Sequence, residues 1–304
     1  MKRVLALAML LAACAGNGAA QTEAIEASYP EGPLYHEGRL YYAEMGADRI
    51  SVVDDGAPRP FFSERGCGPT AIAPYSAGFI VLCHVGQRLV EVDLQGQPQR
   101  RWNSASDGVP LQDPNDASAD GRGGVYFSDP GLFSRNTRPH GRLMYLAPDG
   151  ALRIVADRLW YPNGVFVDRA RNQLYVSEHM SEHVFRYDIR ADGGIDGPDV
   201  FADISSIELP RRYAEAYRET GPDGIEMSAE GEVFIAIYGE GRILRFSREG
   251  RLLGMASTPA RYVTNLAFAE DGGAATTGSF INDEPPFRGE VRFFPPGGLT
   301  RGQE

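Results

Sequence analysis

Apolar and polar residues alternate along this chain in short runs, the period of a strand with one face buried. Almost no stretch shows helical spacing. The runs come in pairs, each pair split by a polar or glycine-bearing turn. Six pairs stand in order: "PEGPLYHEGRLYYAE" (30–44), "PTAIAPYSAGFIVLC" (69–83), "PNDASADGRGGVYFSD" (114–129), "PNGVFVDRARNQLYVSE" (162–178), "PDGIEMSAEGEVFIAI" (222–237) and "VTNLAFAEDGGAATTG" (263–278). Their starts lie 39, 45, 48, 60 and 41 residues apart. Most are followed by a third segment such as "RLVEVDLQG" (88–96) or "RILRFSREG" (242–250). Several short strands in each repeat of roughly 40–50 residues predict an all-β, six-bladed β-propeller. A β-sandwich is the competing architecture, and six copies in one register argue against it.

The equivalent position in each repeat carries the chemistry. In a propeller the first strand of a blade lines the central channel, so equivalent residues converge on the axis. The residues after the leading Pro (Val263 in the sixth copy) are Glu31, Thr70, Asn115, Asn163, Asp223 and Thr264. Four of the six offer a carboxylate or amide oxygen, the donor set of a hard divalent cation such as calcium. A softer metal would call for His or Cys, which do not occur at this position. Each triplet alone is a turn signal: Pro222 presets φ and Gly224 tolerates a positive φ. Only their common register points to a shared ion.

Composition narrows the class. The chain has 304 residues and a net charge of −11, against the basic surface nucleic acid demands. Residues 1–20 read as an export signal: basic residues, a short apolar run, then small residues. That run is too short to span a bilayer comfortably. "LAAC" (11–14) resembles a lipobox that would place a lipid on Cys14; cleavage after Ala20 is the alternative. Either reading exports the protein, to the periplasm or outer membrane of a bacterium as a lipoprotein or as a secreted chain, with residues 21–304 as one domain. A lipid anchor would be its only membrane contact. Cys67 lies just before the first strand of the second repeat and Cys83 ends the second strand. Hairpin pairing sets them opposite one another, as a disulfide in an oxidising compartment or as two small buried thiols.

The "EGP", "PND", "PNG" and "PDG" motifs, spread from about Ser28 to Pro296, resemble the family of gluconolactonases, senescence marker protein (regucalcin) and luciferin-regenerating enzyme. The resemblance implies a six-bladed propeller with a calcium-type metal in its tunnel; zinc, magnesium and manganese are alternatives to calcium. It implies Glu31, Asn163 and Asp223 as metal ligands, with Asn115 a fourth ligand or a substrate contact. It implies metal-dependent hydrolysis of a lactone or related ester, a small-molecule substrate, with Asp223 as base or nucleophile. Phosphotriester hydrolysis on the same ligand set and a non-enzymatic ligand-binding propeller are the rival functions. One departure matters: sugar-lactonase members usually carry an Arg where this chain has Asp113, and a carboxylate cannot offer a sugar lactone the fork of donors an Arg provides.

Glu44, Asp129 and Glu178 end second strands and form a further polar set. They either cap strand ends or reach the substrate, with a second cation near Asp129 as a further reading. Three long loops, 129–141, 205–221 and 279–289, are expected around the channel mouth, the middle one with a short helix in 211–219. They bring Phe133, Tyr213, Tyr217, Phe280 and Phe287 to the mouth or to its outer surface. His179 and His183 are four apart but follow a strand, which argues against a helical zinc pair. His140 and His179 are candidates for the cavity rim.

Overall fold

The computed structural model describes residues 23–54, 56–209, 213 and 220–300. Cys14, the cleavage point after Ala20, Tyr217 and, apart from Tyr213, the helix expected in 211–219 lie outside the described residues. The chain forms six four-stranded antiparallel sheets, a six-bladed β-propeller. No α-helix occurs among the described residues, only the single 3-10 turns Met45–Ala47 and Ile204–Ser206.

Blades 1 to 5 each run outward from the axis in chain order. The innermost strands are Pro30–His36, Pro69–Tyr75, Ala117–Ala119, Pro162–Asp168, Gly221–Met227 and Tyr262–Phe268. Each touches the innermost strand of both neighbours, which closes the ring. Blade 6 takes its outer strand from the other end of the chain: Ala24–Ser28 pairs antiparallel with Arg288–Phe294, Ile25 opposite Val291. The repeat itself starts at Pro30 and does not announce this closing strand.

Alternation puts apolar side chains on both faces of every sheet, so the core is divided into six seams between blades. Tyr41, Ile50 and Val52 of blade 1 meet Ile72, Phe79 and Val81 of blade 2, and Tyr175 and Val184 of blade 4 meet Ile225, Ile235 and Leu244 of blade 5. Phe79 and Phe234 are fully buried in such seams; truncating a ring of that kind costs about 3–5 kcal/mol. Cys67 and Cys83 are joined by a disulfide within the seam of blades 1 and 2.

Candidate functional site

One backbone irregularity recurs where the inner strands begin. In blade 4 Pro162 pairs with Glu178 but Val165 pairs with Val176, so the inner strand holds one extra residue. The same slip falls between Glu31 and Leu34, Pro69 and Ala71, Pro222 and Ile225, and Val263 and Asn265. A β-bulge bends its strand and re-aims a side chain. Here it falls within the three residues after the leading position in five blades, directly beyond Glu31 in blade 1 and over Asn163, Asp223, Thr70 and Thr264 in the others.

Pro222-Asp223-Gly224 is therefore not a turn; all three residues lie inside the strand Gly221–Met227. The glycine answers to space rather than to φ. A Cβ on Gly164 would sit 2.1 Å from the Asp223 carbonyl oxygen, and one on Gly224 would sit 2.1 Å from Cγ of Asn265. Gly32 answers to both, with φ at 39° and a Cβ position 2.3 Å from the Thr70 carbonyl oxygen. Each such glycine lets its bulge lie directly against the next blade.

Buried hydroxyls then tie the bulges together. Thr70 Oγ1 donates to the Asn115 carbonyl (2.7 Å), Ser128 Oγ to that of Asn163 (2.6 Å), and Ser177 Oγ to that of Asp223 (2.6 Å). Thr264 Oγ1 donates to the Pro30 carbonyl across the closure (2.9 Å). Ser177 Oγ also accepts from the Gly164 amide (2.7 Å), so one hydroxyl fixes the backbone of two adjacent bulges.

Glu44, Asp129 and Glu178 hold the approach to the inner strands. Glu44 accepts from the Ser28 amide, Asp129 from those of Gln112 and Asp113, and Glu178 from that of Trp160. Ser28, Gln112 and Trp160 each stand three residues before Glu31, Asn115 and Asn163. Asp129 is fully buried and also pairs with Arg142; burial pushes its carboxyl up, against the pull of Arg142 and the two amides. Asp129, Glu178 and Asp113 do not line the cavity described next; Asp113 lies beside Gln87 and His84.

Glu31, Asn115, Asn163 and Asp223 all line one cavity of about 350 Å³, with Thr70 among them. Burial pushes the Asp223 carboxyl well above its ordinary range, and the charges of Glu31 and Asp116 push it further. Burial and Asp116 do the same to Glu31, opposed only by hydrogen bonds from Thr264 and Gly32. No Arg or Lys is among the described residues lining this cavity. No group of three His, Cys, Asp or Glu gathers there or elsewhere among the described residues; the set is two acids and two amides. Its donors fit a hard cation, because such an ion would relieve the charge that burial otherwise forces onto protons.

The rest of the wall is aromatic. Tyr29, Tyr161, Tyr238, Phe133 and His179 line the same cavity. The Tyr29 and Tyr238 hydroxyls are 2.8 Å apart, and Asn282 Nδ2 donates to Tyr238 at 3.0 Å. Burial pushes all three phenols up, so they stay protonated. Tyr29 and Tyr161 take left-handed backbone angles (φ 48° and 61°) directly before a proline, strain that often accompanies functional sites. His84 also lines the cavity, and burial lowers its pKa and keeps it neutral.

Of the aromatics named from sequence, Phe133 reaches the cavity. Phe287 packs edge-on against Tyr29 (6.1 Å), Tyr213 lies under Arg261 (5.1 Å), and Phe280 is exposed. His179 lines the cavity, whereas His183 stacks on Phe185 and His140 folds into its own loop. Tyr29, Tyr161, Tyr238, His84, Asp116 and Asn282 were not singled out in the sequence. For Tyr29 and Tyr161 a signal existed: both stand two residues before a candidate ligand, Glu31 and Asn163, in "YPE" and "YPN".

A six-bladed propeller with an oxygen-lined axial cavity defines the class. Residues 29–279 match the SMP-30/gluconolactonase/LRE-like region, and the chain belongs to that family. The lactonase drp35 of Staphylococcus saprophyticus is 24% identical over 233 residues, covering 74% of this chain and 68% of that protein. The lactonase drp35 of Staphylococcus haemolyticus is 27% identical over 230 residues, covering 74% and 64%. Among solved structures, a luciferin-regenerating enzyme superimposes with a TM-score of 0.72 at 18% identity, over 90% of this chain and 95% of that one. A gluconolactonase from Xanthomonas campestris gives 0.69 at 22%, over 88% and 86%. A calcium-binding regucalcin from Agrobacterium tumefaciens gives 0.70 at 17%, over 88% and 92%. At these identities the structural likeness establishes the fold alone.

Proposed function

We propose that the protein is a metal-dependent hydrolase of lactones or related esters. The observation that carries this reading is the meeting of Glu31 and Asp223 with Asn115 and Asn163 at one buried cavity whose described lining has no cationic side chain. Lactonase relatives and a calcium-binding structural neighbour support it. Glu31, Asn115, Asn163 and Asp223 would hold the cation, most simply calcium. When bound, it supplies a Lewis-acid charge for the acyl oxygen.

The remaining work falls to side chains. Asp223, as the carboxylate left once a cation offsets the charge it shares with Glu31, takes the proton from a water attacking the acyl carbon. The protonated phenols of Tyr29, Tyr161 and Tyr238 offer donors to substrate oxygens. Hydrolysis in ¹⁸O water under single turnover separates this role from attack by Asp223 itself, which expels the ester alkoxide, forms an acyl-Asp223 anhydride and leaves the label in the enzyme carboxylate when water opens that anhydride at the Asp223 carbon.

Aldonolactones, aliphatic lactones, aryl esters and organophosphates, assayed with and without chelator, test the whole. Chelator should abolish activity and calcium restore it, and Asp223→Ala should reduce kcat by a factor on the order of 10³ or more while the protein stays folded. Activity indifferent to both treatments overturns the reading. Activity confined to organophosphates would select the phosphotriester alternative.

Export belongs to the same proposal. The disulfide of Cys67 and Cys83 suits an oxidising compartment. The mass of the mature N-terminus distinguishes lipid on Cys14 from cleavage after Ala20.

A further inference from the structure

The loop over residues 130–140 of blade 3 does not stay over its own sheet. Arg135 Nη1 donates to the Met180 carbonyl at 2.8 Å, and Nη2 donates to the Thr220 carbonyl at 2.7 Å and to Glu182 Oε1 at 3.0 Å. Met180 and Glu182 belong to a turn of blade 4, and Thr220 directly precedes the blade 5 strand that holds Asp223. One guanidinium thus joins three blades at the mouth.

The loop is stiffened from within. His140 Nε2 accepts from the Leu132 amide (3.1 Å), and Nδ1 lies 2.8 Å from the Arg138 carbonyl, a pairing that needs the neutral ring with its proton on Nδ1. Thr137 Oγ1 donates to the Ser134 carbonyl (2.9 Å), which also receives Trp160 Nε1 at 3.4 Å. Phe133 lies between these anchors. Its ring stands edge-on to Tyr161, His179 and Tyr238, at centroid distances of 4.8, 5.1 and 6.4 Å, and is still 41% exposed. A half-exposed ring keeps such a place over a cavity only if its backbone is held there, because the ring contacts alone must oppose the entropy of an ordered loop.

We propose that Arg135 is a positioning residue that straps this loop across blades 4 and 5, holding Phe133 as the outer wall of the cavity and making the site select substrates with a flat apolar ring over small unsubstituted lactones. The selectivity rests on the hydrolase reading above. A guanidinium is suited to the task because its planar donors engage several carbonyls at once, which a Lys cannot do.

The test compares β-phenyl-γ-butyrolactone with γ-butyrolactone, with calcium present. Arg135→Ala should raise KM for the phenyl lactone about tenfold, the scale of a lost apolar contact, with kcat within about twofold and KM for γ-butyrolactone unchanged. Phe133→Ala should give the same shift, and the double variant should add nothing, since both act through one ring. Arg135→Lys should fall between. A second readout needs no turnover: acrylamide should quench Trp160 more strongly in Arg135→Ala than in the native chain. Trp102, in the seam of blades 2 and 3, provides a constant background. Equal loss on both lactones, a fall in kcat at constant KM, or unchanged Trp160 quenching overturns the proposal. If the native chain hydrolyses neither lactone yet turns over another ester of the panel in a calcium-dependent way, the selectivity fails alone and the hydrolase reading stands; the strap is judged on Trp160 in either case.

Discussion

Glu226 shows what burial does to an acid in this channel when nothing neutralises it. It lines the larger cavity on the far side of the axial oxygens, with Asp116 and Asn265. Burial pushes its carboxyl up to about 8; Asp116 adds to the shift, while the Met227 amide and Arg169 oppose it. The folded chain therefore keeps a proton that the unfolded chain releases near the ordinary 4.5. Stability from this group is full below that ordinary value and is lost as pH rises through about 8. Glu226→Gln removes the dependence. Its Tm should match the native protein at pH 4, exceed it by a few degrees at pH 9, and fall less steeply between. Parallel curves across that range would contradict the assignment.

An element acquires its function here through an irregularity. The bulge at the start of five inner strands re-aims a side chain toward the axis, and in blades 1, 4 and 5 the glycine behind it admits the neighbouring blade. Gly164→Ala places a methyl 2.1 Å from the Asp223 carbonyl, which cannot move without shifting a proposed ligand. This substitution should cost about 1–3 kcal/mol and weaken calcium binding measured by calorimetry. Gly254, in the outer strand Leu252–Ser257, is the control: its nearest foreign atom to a new Cβ is 3.8 Å away, on the flexible end of Arg245. Gly254→Ala should leave calcium affinity unchanged and stability equal or slightly higher. Equal effects at the two positions would separate the glycines from the site.

The molecule is a ring, and a ring must be closed. Closure falls to Ala24–Ser28, which pairs over its full length with residues 288–292 of the strand Arg288–Phe294 and brings Ala27 into the seam of blades 6 and 1. A chain starting at Ser28 would keep every axial oxygen and expose the free edge of blade 6. Its Tm should fall by roughly 10 °C, and the bare edge should promote aggregation on light scattering. A truncated chain as stable and as monodisperse as the native one would show that closure does not depend on this strand.

Strand period, the number of blades and the register of Glu31, Asn115, Asn163 and Asp223 could be read from the chain, because each depends on local alternation and on a repeat compared with itself. Turn chemistry misread Pro222-Asp223-Gly224 for the same reason: locally a Pro-Asp-Gly turn and a glycine bulge against a neighbour look alike. The roles of Glu44, Asp129 and Glu178 in holding backbone amides, the aromatic wall of Tyr29, Tyr161, Tyr238 and Phe133, and the closing strand were decided only in three dimensions. They depend on which blades become neighbours and how closely they pack, distances that no fixed spacing along the chain encodes.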